Sequence, residues 1–111
     1  MAHQTPLIQH QQLYLPHQQA PLCTVGSPDW FAWLHTATAF RFASSRRRLI
    51  IRGYGPRLHP ISLRKEQRRH GTFWYAYRRV HGQLYKRYVG RSDQLTLDKL
   101  DQVASLLHDC W

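Results

Sequence analysis

Acidic side chains are scarce in this chain: six Asp and Glu stand against sixteen Lys and Arg in 111 residues, a formal net charge of +10. That imbalance excludes an acidic regulator. It also leaves paired-carboxylate catalysis without residues, because Glu66 is the only acid within the expected strands. Cysteine is rarer still. Cys23 and Cys110 lie far apart and form no Cys-x-x-Cys, which excludes a disulfide-rich scaffold and a zinc ribbon or finger. Both are expected as free thiols in a reducing cytosol. No apolar run approaches the ~18 residues of a membrane span. No basic stretch followed by an apolar core marks a secretory signal near the start. A soluble, cytoplasmic protein without a membrane partner is therefore expected. Also missing are G-x-S-x-G, a Walker A loop and H-E-x-x-H. His35, His59, His70 and His81 have no metal-ligand spacing, and His108-Asp109-Cys110 falls on a terminal turn with no supporting pocket. No enzyme, cofactor or metal site is expected.

The length suits one small domain. Residues 1–28 contain no charged side chain other than histidine, and six Gln, three His and three Pro fill residues 1–22. Such a tract offers little to bury and its prolines interrupt regular structure. Residues 1–26 are expected to be a flexible leader, with at most a short strand around Leu13 to Leu15. Residues 27–111 are expected to form the domain.

At Ser27-Pro28-Asp29 the signals change together. A good N-cap, a proline suited to the first helical position and an acid near the positive end of the dipole precede Trp30, Phe31, Trp33 and Leu34. A short helix over 28–36 is expected, its tryptophans in the core. Phe40 and Phe42 alternate in a strand over 38–43. The Arg- and Gly-rich stretch 44–60 reads as an insertion or loop. Three antiparallel strands follow over 61–90, with His81-Gly82 as a two-residue hairpin turn. Thr96 caps a last helix whose Leu97, Leu100, Val103 or Ala104, and Leu107 form one stripe. The expected fold is α+β: a short N-terminal helix, a three- to four-stranded antiparallel sheet, and a C-terminal amphipathic helix on one sheet face.

Charge is segregated along the chain. Residues 41–91 hold fifteen of the sixteen basic residues and one acid, a net +14. The terminal helix region holds Asp93, Asp98, Asp101 and Asp109 against Lys99. A generic surface mixes the signs; a sheet that meets phosphate concentrates one of them. Pairing Val80 with Gln83 splits the hairpin into two faces. Phe73, Tyr75, Tyr77, Leu84 and Tyr88 share one, with Arg79 and Lys86. This face is expected to cover the helix stripe. The other carries Trp74, Arg78, Tyr85 and Arg87, and is expected to lie open as the binding surface. A one-residue slip would exchange them. Arg64, Lys65, Arg68 and Arg69 are expected to meet phosphates.

The series Leu63-RKEQRR-His70-Gly71, WYAYRRV from Trp74, YKRYVGRS from Tyr85 and LTLDKL from Leu95 resembles the N-terminal module of certain LuxR/MalT-type bacterial transcriptional regulators. DWFAWL from Asp29 and TAFRF from Thr38 are similar to the start of that module. The stretch 44–60 departs from it as a longer insertion. The strand-strand-strand-helix order also resembles the arm-type DNA-binding domain of tyrosine recombinases. That resemblance implies DNA contact by a sheet backed by a helix, placing Arg64, Arg68, Arg78 and Arg87 nearest the duplex. The expected function is nucleic-acid binding, double-stranded DNA first, in transcription regulation. RNA or single strands stacked on Trp74 and Tyr85 are one alternative. A protein-interaction or sensory module, basic only incidentally, is the other.

Overall fold

The computed structural model describes residues 5–43 and 60–108. The stretch 44–60, expected as an insertion or loop, lies outside the described residues except for Pro60.

Seven strands form one mixed sheet: β1 (Leu7–Gln9), β2 (Gln12–Tyr14), β3 (Cys23–Thr24), β4 (Ala39–Phe42), β5 (Ile61–Arg68), β6 (Gly71–Val80) and β7 (Gln83–Gly90). Two helices accompany them, α1 (Pro28–Thr36) and α2 (Leu97–His108), with a single 3-10 turn at Ser92–Gln94 before the second. The spatial order is β3-β2-β1-β4-β5-β6-β7. Every neighbouring pair is antiparallel except β1 and β4, which run parallel with Leu7 opposite Arg41 and Ile8 opposite Phe42.

The expected three- to four-stranded antiparallel sheet is therefore corrected to seven strands. The three additional strands lie in the stretch expected to be a flexible leader. Its composition hid two residues with much to bury: Ile8 and Leu13 sit opposite each other in the β1–β2 pair and are fully enclosed. The intervening turn places both His10 and Gln11 at positive φ, 54° and 68°. Two left-handed residues in succession are the geometry of a tight hairpin, but the usual Asn-Gly or Asp-Gly signal is missing. The β6–β7 turn uses the same geometry at His81 and Gly82 (φ 50° and 80°), and there the glycine announces it.

Helix α1 begins as its sequence dictates. Ser27 Oγ accepts from Trp30 N at 3.3 Å, Pro28 opens the first turn and Asp29 sits beside the positive helix end. Helix α2 starts on Thr96, whose Oγ1 accepts from Lys99 N at 3.2 Å. Both helices lie on one sheet face. Trp30 and Trp33 of α1 meet Phe40 of β4 with ring centroids 5.4 and 5.9 Å apart, and Phe40 meets Trp74 of β6 at 5.1 Å. Leu100, Val103, Ala104 and Leu107 of α2 join the same core. Each buried indole has a partner for its N–H. Trp30 Nε1 donates to Leu95 O at 2.8 Å and Trp74 Nε1 to Ser92 Oγ at 2.9 Å. These bonds tie the segment leading into α2 to the helix and the sheet. They remove the penalty an unmatched donor would carry in the core. No helix among the described residues is long and apolar enough to cross a membrane.

Candidate functional site

With both helices on one face, the opposite face of β5, β6 and β7 carries neither of them. Period-two alternation decides which side chains it presents. The β6–β7 pairing runs Val80 to Gln83, Arg79 to Leu84, Arg78 to Tyr85, Tyr77 to Lys86, Ala76 to Arg87 and Tyr75 to Tyr88. A bulge at Trp74 and Tyr75 then brings Trp74 opposite Gly90. Trp74 and Ala76 are fully enclosed and Arg78 is only 9% exposed. The helix-covered side is thus the one holding Trp74, Ala76, Arg78 and Val89. The open side holds Phe73, Tyr75, Tyr77 and Arg79 of β6, Leu84, Lys86 and Tyr88 of β7, and Arg64, Glu66 and Arg68 of β5.

The face assignment expected from sequence is thereby reversed. Trp74 and Arg78, expected on the binding surface, are core. Arg78 Nη1 donates to Leu107 O at 3.1 Å, so the guanidinium ties β6 to the last turn of α2. Tyr85 packs partly against the core. Arg87 is exposed, but it stands opposite Ala76 on the helix side of β7. Lys65 also faces the helices. Its Nζ donates to Leu34 O at 2.6 Å and His35 O at 3.3 Å, and lies 5.4 Å from the Trp74 ring centroid. Burial pushes its pKa below the usual lysine value, and the carbonyls it holds are at the negative end of α1. It is a helix fastener. Of the expected phosphate-contacting residues, Arg64 and Arg68 do lie on the open face, and Arg69 is exposed in the β5–β6 turn.

Aromatic rings and cations interleave on that face. Tyr75 and Tyr88 meet edge-to-face at 5.6 Å, and Phe73 lies 5.9 Å from Tyr88. Lys86 Nζ sits 4.4 Å from the Tyr75 centroid and 5.5 Å from that of Tyr77, while the Arg68 guanidinium lies 5.1 Å from Tyr75. Glu66 occupies the middle. Its carboxylate accepts from Arg68, from the Tyr77 hydroxyl and from Lys86, the last at 3.2 Å. Arg64 and Arg79 meet no acid among the described residues. The face therefore presents planar rings around one partly compensated centre, with the Arg64 and Arg79 guanidinium groups beside it.

By sequence, Tyr75, Tyr77, Arg79, Lys86 and Tyr88 are expected in the core. Each side carries two cations, Arg79 and Lys86 on one and Arg78 and Arg87 on the other, so the count of charges does not choose between them. No protein-family model, curated protein or solved structure matches this chain.

Proposed function

We propose that this chain binds nucleic acid, double-stranded DNA in preference to RNA, through the open face of β5, β6 and β7. The observation that carries the reading is the helix-free face itself: Arg64, Arg68, Arg79 and Lys86 interleaved with Tyr75, Tyr77 and Tyr88, and Glu66 the only acid there among the described residues. Guanidinium groups pair with phosphates or guanine edges in a planar fork, and the rings between them offer apolar contact to bases. A role in transcription regulation, in the cytoplasm, belongs to the same proposal, and the resemblance to the regulator module supports it. Tyr88, 55% exposed, favours single strands as the second reading, since an unpaired base can stack on an open ring.

Fluorescence anisotropy against duplex DNA, single-stranded DNA and structured RNA, each at low and physiological salt, tests it. Duplex binding with a steep salt slope is expected. Arg64→Ala with Arg79→Ala should weaken it roughly tenfold or more and reduce the slope by about 0.9 for each phosphate no longer neutralised. Arg87→Ala, on the helix side, should change it less than about twofold. Tighter binding of single strands would select the second reading. A flat response to all three ligands refutes both and leaves the protein-interaction module.

A further inference from the structure

At the β4–β5 end of the open face lies a cleft of about 400 Å³ lined by Thr5, Ala39, Phe40, Arg41, Ser62, Leu63 and Arg64. Its chemistry is unlike the aromatic centre of the sheet. Arg41 stands opposite Ser62, and Arg64 opposite Ala39, so the two arginines are diagonal neighbours on adjacent strands. Diagonal positions are roughly 7–8 Å apart, a separation over which two guanidinium groups can grip one tetrahedral anion. Ser62 lies between them, and Thr5 brings a second hydroxyl from the chain entering β1. Among the described residues, neither arginine has an acidic partner. The backbone beneath is fixed from both sides: Arg41 N donates to Pro6 O at 2.9 Å, and Phe42 pairs with Ile61 of β5. Little ordering cost therefore remains to be met when an anion arrives.

We infer that this cleft seats one phosphodiester of a nucleic-acid strand, with Arg41 and Arg64 on the phosphate oxygens and Ser62 and Thr5 donating hydroxyl hydrogen bonds. The inference rests on the nucleic-acid reading and adds Arg41 and a defined phosphate position to it. The volume favours a phosphate carrying its sugar over a bare inorganic ion, because 400 Å³ falls in the range of sites that enclose a small organic ligand. The cleft would fix where the backbone crosses the sheet, and so the register of the duplex on the face.

Amide and arginine Nε chemical shifts of the full chain, followed by NMR during titration with inorganic phosphate and separately with a dinucleotide, test the seat. Saturable shifts confined to residues 39–41 and 62–64, tighter for the dinucleotide by about tenfold and abolished by Arg41→Gln, are expected. Ser62→Ala keeps both charges and should weaken the dinucleotide several-fold. Uniform, non-saturating shifts at every basic residue would overturn the inference. So would an Arg41→Gln variant that binds duplex as the parent does while Arg79→Ala weakens it; the nucleic-acid reading would then survive alone. Saturation by inorganic phosphate at the cleft without any duplex binding would overturn the phosphodiester assignment together with the reading beneath it.

Discussion

Replacing Arg78 separates a structural cation from a ligand-binding one. Its guanidinium is enclosed between β6 and α2, and Nη1 donates to Leu107 O at 3.1 Å. A hydrogen bond from a charged group contributes roughly 1.5–3 kcal/mol, and a cation at a helix C-terminus adds about 0.3–1 kcal/mol. Arg78→Ala removes both, strands a carbonyl in the core and opens space where the side chain packed. A loss of about 2–4 kcal/mol is expected, a large share of the ~5–15 kcal/mol that holds a small domain folded. At ~4–8 °C per kcal/mol the melting point should fall by at least about 8 °C. Arg78→Met keeps much of the packing, so its loss should be smaller than that of Arg78→Ala. Urea unfolding followed by tryptophan emission suits the measurement, because Trp30 and Trp74 are fully enclosed and report the core directly. Nucleic-acid affinity of the folded fraction should be unchanged. A shift below ~0.5 kcal/mol, the size of an ordinary surface substitution, accompanied by loss of affinity, would refute the placement of Arg78.

Three further outcomes follow from the same geometry. His10→Asn with Gln11→Gly relieves two side-chain-bearing residues held at positive φ and should stabilise the chain by about 1 kcal/mol in the same urea assay; a destabilised variant would mean that the β1–β2 turn is not left-handed. Lys65→Met removes the bonds to the last carbonyls of α1 and should cost about 1–2 kcal/mol while leaving duplex affinity unaltered; weakened binding at unchanged stability would return Lys65 to the interface. Burial first, and the Asp29 carboxylate second, hold the Cys23 thiol above its usual pKa of 9.0, against a hydrogen bond with Ser27 that lowers it. In a Cys110→Ser background, alkylation at pH 8 should therefore be slower than in the urea-unfolded chain. Stability should also fall as pH rises through 9.0, because the unfolded thiol ionises first. Equal alkylation rates in the two states would contradict the raised value.

What the sequence disclosed followed from local rules. The Ser27-Pro28-Asp29 start of α1 and the Thr96 start of α2 are capping chemistry within a single turn. The hairpin at His81-Gly82 is a turn whose second residue must tolerate positive φ, and glycine marks it. The strands of the first 24 residues obeyed a non-local rule instead. Segments of two or three residues carry too little pattern to register as strands. They hold because Ile8 and Leu13 are buried in a core supplied by residues far along the chain. The choice of sheet face was a third kind of problem. Alternation divided β6 and β7 correctly into two sets but could not say which set was inside, since each contains aromatics and arginine. The balance turned on Trp74, Ala76 and Val89 outweighing one arginine that could reach a helix-end carbonyl. Arg79 and Lys86 on the opposite set had no such partner in the interior.

The position of Glu66 bears on how the open face could meet a polyanion. The strands hold one carboxylate, that of Glu66 opposite Phe73 of β6, and it accepts from Arg68, Lys86 and the Tyr77 hydroxyl at once. One negative charge is thus shared by two cations, which leaves that cluster less positive than its cations alone, while Arg41, Arg64 and Arg79 have no acidic partner among the described residues. A uniformly positive face would attract phosphate everywhere and fix no orientation. A face whose positive charge is reduced around Glu66 draws phosphate most strongly to the arginines that have no acidic partner. In a duplex groove, phosphates lie along the edges and bases along the floor. On the nucleic-acid reading, the charge pattern therefore sets the rings around Glu66 against bases and the unpartnered arginines against backbone. Charge segregation along the chain alone would leave that division undetermined.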